Sequence, residues 1–99
     1  MNSDIKTGSE ESKLIVAIIR DTDGEAISKA LLDQGYRVTV VASTGGLLRR
    51  GNATLLIGVE QSRVQDAIQL IRENSAPGID PGLKRATIFV LAVDKFEQL

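Results

Sequence analysis

The residues best suited to chemistry stand together in the stretch Ser43-Thr44-Gly45-Gly46-Leu47-Leu48-Arg49-Arg50-Gly51-Asn52. Two successive glycines allow main-chain N–H groups to turn into one concavity, as a small anion-binding nest requires, and Arg49 and Arg50 place positive charge beside it. The chemistry implied is capture of an anion, not the making or breaking of bonds. At the level of residue types such a stretch is more often a solvated loop than a phosphate site, and it carries neither a Walker A pattern nor a Rossmann fingerprint. The acidic pairs Asp21/Asp23 and Glu10/Glu11 are the only other clusters suggestive of a ligand. Adjacent carboxylates at a helix start or in a polar tail are ordinarily caps or solvated charge, so no metal site is expected.

Composition narrows the classes further. The chain contains no His and no Cys, which removes the commonest general base, the commonest transition-metal ligand and every Ser-His or Cys-His nucleophile arrangement. With no convincing carboxylate pair either, an enzyme is not expected. Twelve basic against 13 acidic residues give a net charge of -1, without the basic excess that drives binding to DNA or RNA. No apolar run approaches the roughly 20 residues that span a bilayer, and the N-terminus is polar where a signal peptide would be apolar. A cytoplasmic protein with no cofactor is the expectation.

The elements that must position the glycine-bearing loop follow from periodicity. Residues 1–12 are polar and are read as a disordered tail, leaving 13–99 as one domain. Lys13 to Ile19 is a nearly continuous β-branched and apolar run, suited to a central strand. Thr22 with Glu25 suggests a capping box for a helix over about 23–34, stopped by Gly35, and Ser62 with Gln65 suggests a second for a helix ending near Glu73. Strands are predicted over 36–42, 53–59 and 86–93. Loops are predicted over 43–51 and 74–84, and a short tail over 94–99. The order β-α-β-β-α-β predicts an α+β, ferredoxin-like fold: an antiparallel four-stranded sheet with two helices on one face. Because the strands over 14–19 and 86–93 are apolar at both alternating positions, the uncovered face is expected to pack against other subunits. A chain of 99 residues gains stability from such burial. Phe89, Val90, Leu91 and Phe96 read as core or subunit-interface residues.

A longer pattern surrounds the loop. Arg37-x-Thr39-x-x-Ala42-Ser43-Thr44-Gly45-Gly46-Leu47-Leu48-Arg49-x-Gly51-Asn52-x-Thr54 is flanked by Lys13-Leu14-Ile15 and by Phe89-Val90-Leu91-x-Val93-Asp94-x-Phe96. Together they closely resemble the PII-like cyclic di-AMP receptor family over roughly 13–99. The resemblance implies a homotrimeric signalling protein that binds the cyclic dinucleotide in clefts between subunits and changes loop conformation to regulate a protein partner. It further implies that Arg37 and Thr39 contact adenine or phosphate, and that the main chain at Gly46, Leu47 and Leu48 forms a cradle with Thr44, Gly45 and Arg49 around it. Asn52 and Gly58 would line the site, and Gln98 would reach it from a neighbouring subunit. Guanidinium and hydroxyl groups suit phosphate oxygens, and amides suit an adenine edge.

Three positions depart from the family pattern. Leu47 replaces a common Phe and offers no π face to a base. Gly35 stands where many members have Asn, and the segment after the second helix is short, about 74–84. Three readings therefore remain: a cyclic di-AMP sensor, a PII-like sensor of ATP, ADP or another nucleotide, and an adaptor trimer indifferent to ligand. Arg37 and Thr39 taken alone would be an edge charge and a β-former on a half-exposed face.

Overall fold

The apolar, β-branched run after Glu11 forms the central strand β1, Ser12–Arg20, beginning one residue ahead of the expected Lys13. The computed structural model describes residues 11–41, 51–76, 86–94 and 97. After β1 come α1 (Gly24–Asp33), β2 (Arg37–Val41), β3 (Asn52–Glu60), α2 (Val64–Glu73) and β4 (Ala86–Ala92). The strands lie in the order β2-β3-β1-β4, and every neighbouring pair is antiparallel. This is the β-α-β-β-α-β sheet expected from periodicity, with the apolar run of β1 at an inner position. The assigned tail over residues 1–12 lies almost wholly outside the described residues.

Strand alternation sends Ile15, Ala17 and Ile19 to the helix side, where register pairs them with Ile57, Leu55 and Ala53 of β3. Ile27 and Leu31 of α1 and Val64, Ala67 and Ile71 of α2 close over them, and these apolar side chains form one buried core. The helical spacing of those five residues is what turns one stripe of each helix inward.

Both helix entries differ from expectation. A single 3-10 turn precedes each helix, Asp21–Asp23 before α1 and Gln61–Arg63 before α2. The N-cap residues are therefore Asp23 and Arg63, neither making a side-chain capping bond, and the capping boxes anticipated at Thr22 and Ser62 are out of register. The tighter turns bring main-chain carbonyls to the waiting donors: Gly24 N–H reaches the Asp21 carbonyl and Val64 N–H reaches that of Gln61. The exit of α1 is as expected. Gly35 adopts φ +87°, and the N–H groups of Gly35 and Tyr36 donate to the carbonyls of Leu32 (3.0 Å) and Leu31 (3.1 Å), a Schellman stop that L side chains rarely permit. At the end of α2, Asn74 Nδ2 donates to the Leu70 carbonyl at 2.8 Å and Ser75 Oγ to that of Ile71 at 2.7 Å.

Asp23 occupies the N-cap position of α1, but its side chain is buried and turned to other partners. Its carboxylate is 5% exposed and accepts from Arg20 Nε (3.0 Å) and the Ala76 N–H (3.2 Å), while Arg20 Nη2 donates to the Ala76 carbonyl. The pair thereby holds both main-chain groups of Ala76, and burial of the carboxylate is offset by an ion pair and an amide.

Candidate functional site

Register resolves the sheet face turned away from the helices into rows. One row carries Arg37, Gly58, Leu14 and Leu91 across β2, β3, β1 and β4. The next carries Thr39, Leu56, Val16 and Phe89, and a third carries Val41, Thr54, Ile18 and Thr87. Asn52, paired with Arg20, opens the row beyond. The face is thus divided: its β2 and β3 half holds Arg37, Thr39, Asn52, Thr54, Glu60 and the bare backbone of Gly58, whereas its β1 and β4 half carries the apolar side chains Leu14, Val16, Ile18, Phe89 and Leu91, with Arg20 and Thr87 at one end.

Four of the residues singled out from the sequence, Arg37, Thr39, Asn52 and Gly58, are brought together on that polar half although up to 21 positions separate them in the chain (58 − 37). Local structure explains the aim of Arg37. Tyr36 is buried at 5% exposure on the helix side, with the Arg63 guanidinium carbon 4.1 Å from its ring centroid, and Arg63 Nη2 donates to the Gln34 carbonyl at 2.9 Å. With Tyr36 held inward, alternation turns Arg37 to the opposite face. Gly58 lies within β3, and a Cβ built on it meets nothing among the described residues within 4 Å, so the backbone there stands bare in the same row as Arg37. Glycine in a strand interior commonly marks such an approach.

Thr44, Gly45, Gly46, Leu47, Leu48, Arg49 and Gln98 lie outside the described residues. The edge of their loop is anchored: Gly51 has φ +86° and its carbonyl accepts from Asp21 N–H at 2.8 Å, seating Asn52 at the start of β3. Sequence reasoning did not single out Thr54, which is 9% exposed with a hydroxyl that finds no hydrogen-bond partner among the described residues. Alternation of β3 was the available signal, since Thr54 shares its face with Asn52 and Gly58.

The apolar half is not core within one chain. Phe89, Val90 and Leu91 are 51%, 43% and 48% exposed, because β4 is an edge strand and Phe89 and Leu91 face away from the helices. Among the described residues no group of His, Cys, Asp and Glu could hold a metal ion, and no helix is long and apolar enough to cross a membrane.

This sheet, backed by two helices and bearing a polar patch beside an apolar one, is the fold of PII signalling proteins. A crystal structure of Arabidopsis thaliana PII bound to citrate is similar at a TM-score of 0.67 and 29% identity, covering 84% of this chain and 78% of that one. A protein of unknown function from Pediococcus pentosaceus is similar at a TM-score of 0.73 and 35% identity over 90% of this chain and 98% of that one. The cyclic-di-AMP receptor family matches residues 12–80, and the chain belongs to it. Its class is therefore that of a PII-like, nucleotide-binding signalling receptor.

Proposed function

We propose that this protein is a cytoplasmic receptor for cyclic di-AMP that binds the dinucleotide on the polar half of the open sheet face, in clefts between the subunits of a homotrimer. The observation that carries the reading is the gathering of Arg37, Thr39, Asn52 and the uncovered Gly58 on one face, beside the anchored end of the glycine loop. A guanidinium and a hydroxyl suit phosphate oxygens, a carboxamide can both donate to and accept from an adenine edge, and a glycine backbone admits close approach. The glycine loop would complete the cradle, and its change on binding would be read by a protein partner. Catalysis is no part of the proposal: a chain lacking His and Cys has neither of the usual bases or nucleophiles, and receptor function needs neither.

A second ligand, ATP, ADP or another nucleotide, is favoured by Leu47 in place of a stacking aromatic and by the short segment after the second helix. Calorimetry against cyclic di-AMP, ATP, cyclic di-GMP and cyclic AMP separates the two. Cyclic di-AMP is expected to bind at one per chain, with Arg37→Ala weakening it by about tenfold or more, the loss of a charge-assisted hydrogen bond. Heat with ATP and none with cyclic di-AMP would transfer the reading to the second ligand. Silence with all four would leave an adaptor.

A further inference from the structure

We infer that Thr54 is a ligand-contacting residue of this site, its hydroxyl donating to an oxygen of the bound anionic nucleotide. The inference rests on the reading of the open face as a nucleotide site and adds to it a residue not assigned there. Thr54 is more than nine-tenths buried, yet its Oγ1 has no hydrogen-bond partner among the described residues. A buried hydroxyl left unpaired costs about 1–3 kcal/mol, and a strand position flanked in its row by Val41 and Ile18 would be filled as well by Val, which carries no such cost. Among the described residues, then, the packing makes no use of this polar group.

Its place on the face says what kind of partner completes it. Thr54 lies on β3 between Asn52 and Leu56 on the same face, with Gly58 further along, and Thr39 lies on the diagonal across β2 through Leu56. Asn52 stands two residues away along the strand and Thr39 on the diagonal, while the charged outward positions of these two strands, Arg37 and Glu60, lie further toward the other end of β3. A partner bearing acceptor oxygens, as the phosphates of the proposed nucleotide do, matches this hydroxyl donor. The apolar half of the face, Leu14, Val16, Phe89 and Leu91, suits a second copy of the chain and offers the hydroxyl nothing.

The test compares Thr54→Val and Thr54→Ser with the native chain in thermal unfolding without ligand, in light scattering without ligand, and in calorimetry with cyclic di-AMP. The expected result is a ligand-free Thr54→Val protein at least as heat-stable as the native one, because an unpaired hydroxyl has been removed. Its oligomeric state should be unchanged and its affinity for cyclic di-AMP about 5- to 30-fold weaker, one hydrogen bond's worth. Thr54→Ser, which keeps the hydroxyl, is expected to bind within about threefold of the native chain, a margin below one such bond. Equal binding by Thr54→Val and the native protein overturns the inference and leaves the receptor reading intact. A fall in ligand-free stability for Val but not Ser assigns the hydroxyl to an internal bond and also overturns it. Altered assembly of Thr54→Val without ligand assigns it to a neighbouring copy, with the same consequence. A native chain that binds none of the four nucleotides removes the receptor reading, and this inference falls with it.

Discussion

Gly58 is the residue at which folding and binding make opposite demands. A glycine in the interior of a strand weakens it, since no side chain packs and more backbone entropy is lost, and here a Cβ would meet nothing among the described residues. Folding alone would therefore accept Ala. Gly58→Ala is expected to raise ligand-free stability by about 0.5 kcal/mol while weakening cyclic di-AMP binding at least tenfold, read by thermal unfolding and calorimetry together. Binding unchanged in a stabilised variant would reduce Gly58 to an ordinary strand position. The residue-level contrast explains what was legible beforehand. Arg37, Thr39, Asn52 and Gly58 stand out through a resemblance, and strand parity then places them on one face. Thr54 stood in the same quoted pattern, but its burial and missing partner exist only once β1 and β2 flank it. Asp23 was legible as a residue at a helix start but its partners were not, since Ala76, whose N–H its carboxylate accepts, is 53 positions away.

At the scale of elements, periodicity was sufficient for the strands and helices described, because β1, β3, α1 and α2 each bury a regularly spaced apolar set and the β-rich runs of β2 and β4 pair at the edges beside them. Entry geometry was not legible. Thr22 and Ser62 have the right types for caps, yet the chain enters both helices through a 3-10 turn whose carbonyls take the donors first. That turn at α1 does a second task, since Asp21 holds Gly51 and Asp23 holds Ala76, tying the β1–α1 junction to the start of β3 and to the exit of α2. Asp23→Ala would leave the Ala76 amide without its acceptor and the partly covered Arg20 guanidinium without its counter-charge, at a cost of about 2 kcal/mol. For a domain of this length the expected drop in melting temperature is on the order of 10 °C. Asp23→Asn, which retains one acceptor oxygen, should recover part of it. A melting temperature unchanged in Asp23→Ala would show that the ion pair and the Ala76 contacts contribute nothing to stability.

For the whole molecule, the question is what covers the apolar half of the sheet. Phe89 and Leu91 lie in adjacent rows with Val16 and Leu14, and about half the surface of each of the first two meets solvent in a single chain. Contiguous apolar surface of this kind is uncommon on monomers, and burying one such side chain is worth about 1.5–3 kcal/mol. In a homotrimer each copy would contribute the same patch, so one substitution acts three times. Phe89→Glu is therefore expected to give a folded monomer in light scattering, since residue 89 faces away from the core and its loss leaves the helix side untouched. If the nucleotide sits between subunits, that monomer should also lose cyclic di-AMP binding, although Phe89 lies on the apolar half and Arg37, Thr39 and Thr54 are intact. Lost assembly with full affinity would confine the site to one chain. Assembly unaffected by a charge at residue 89 would mean that the apolar half is not the surface through which copies meet.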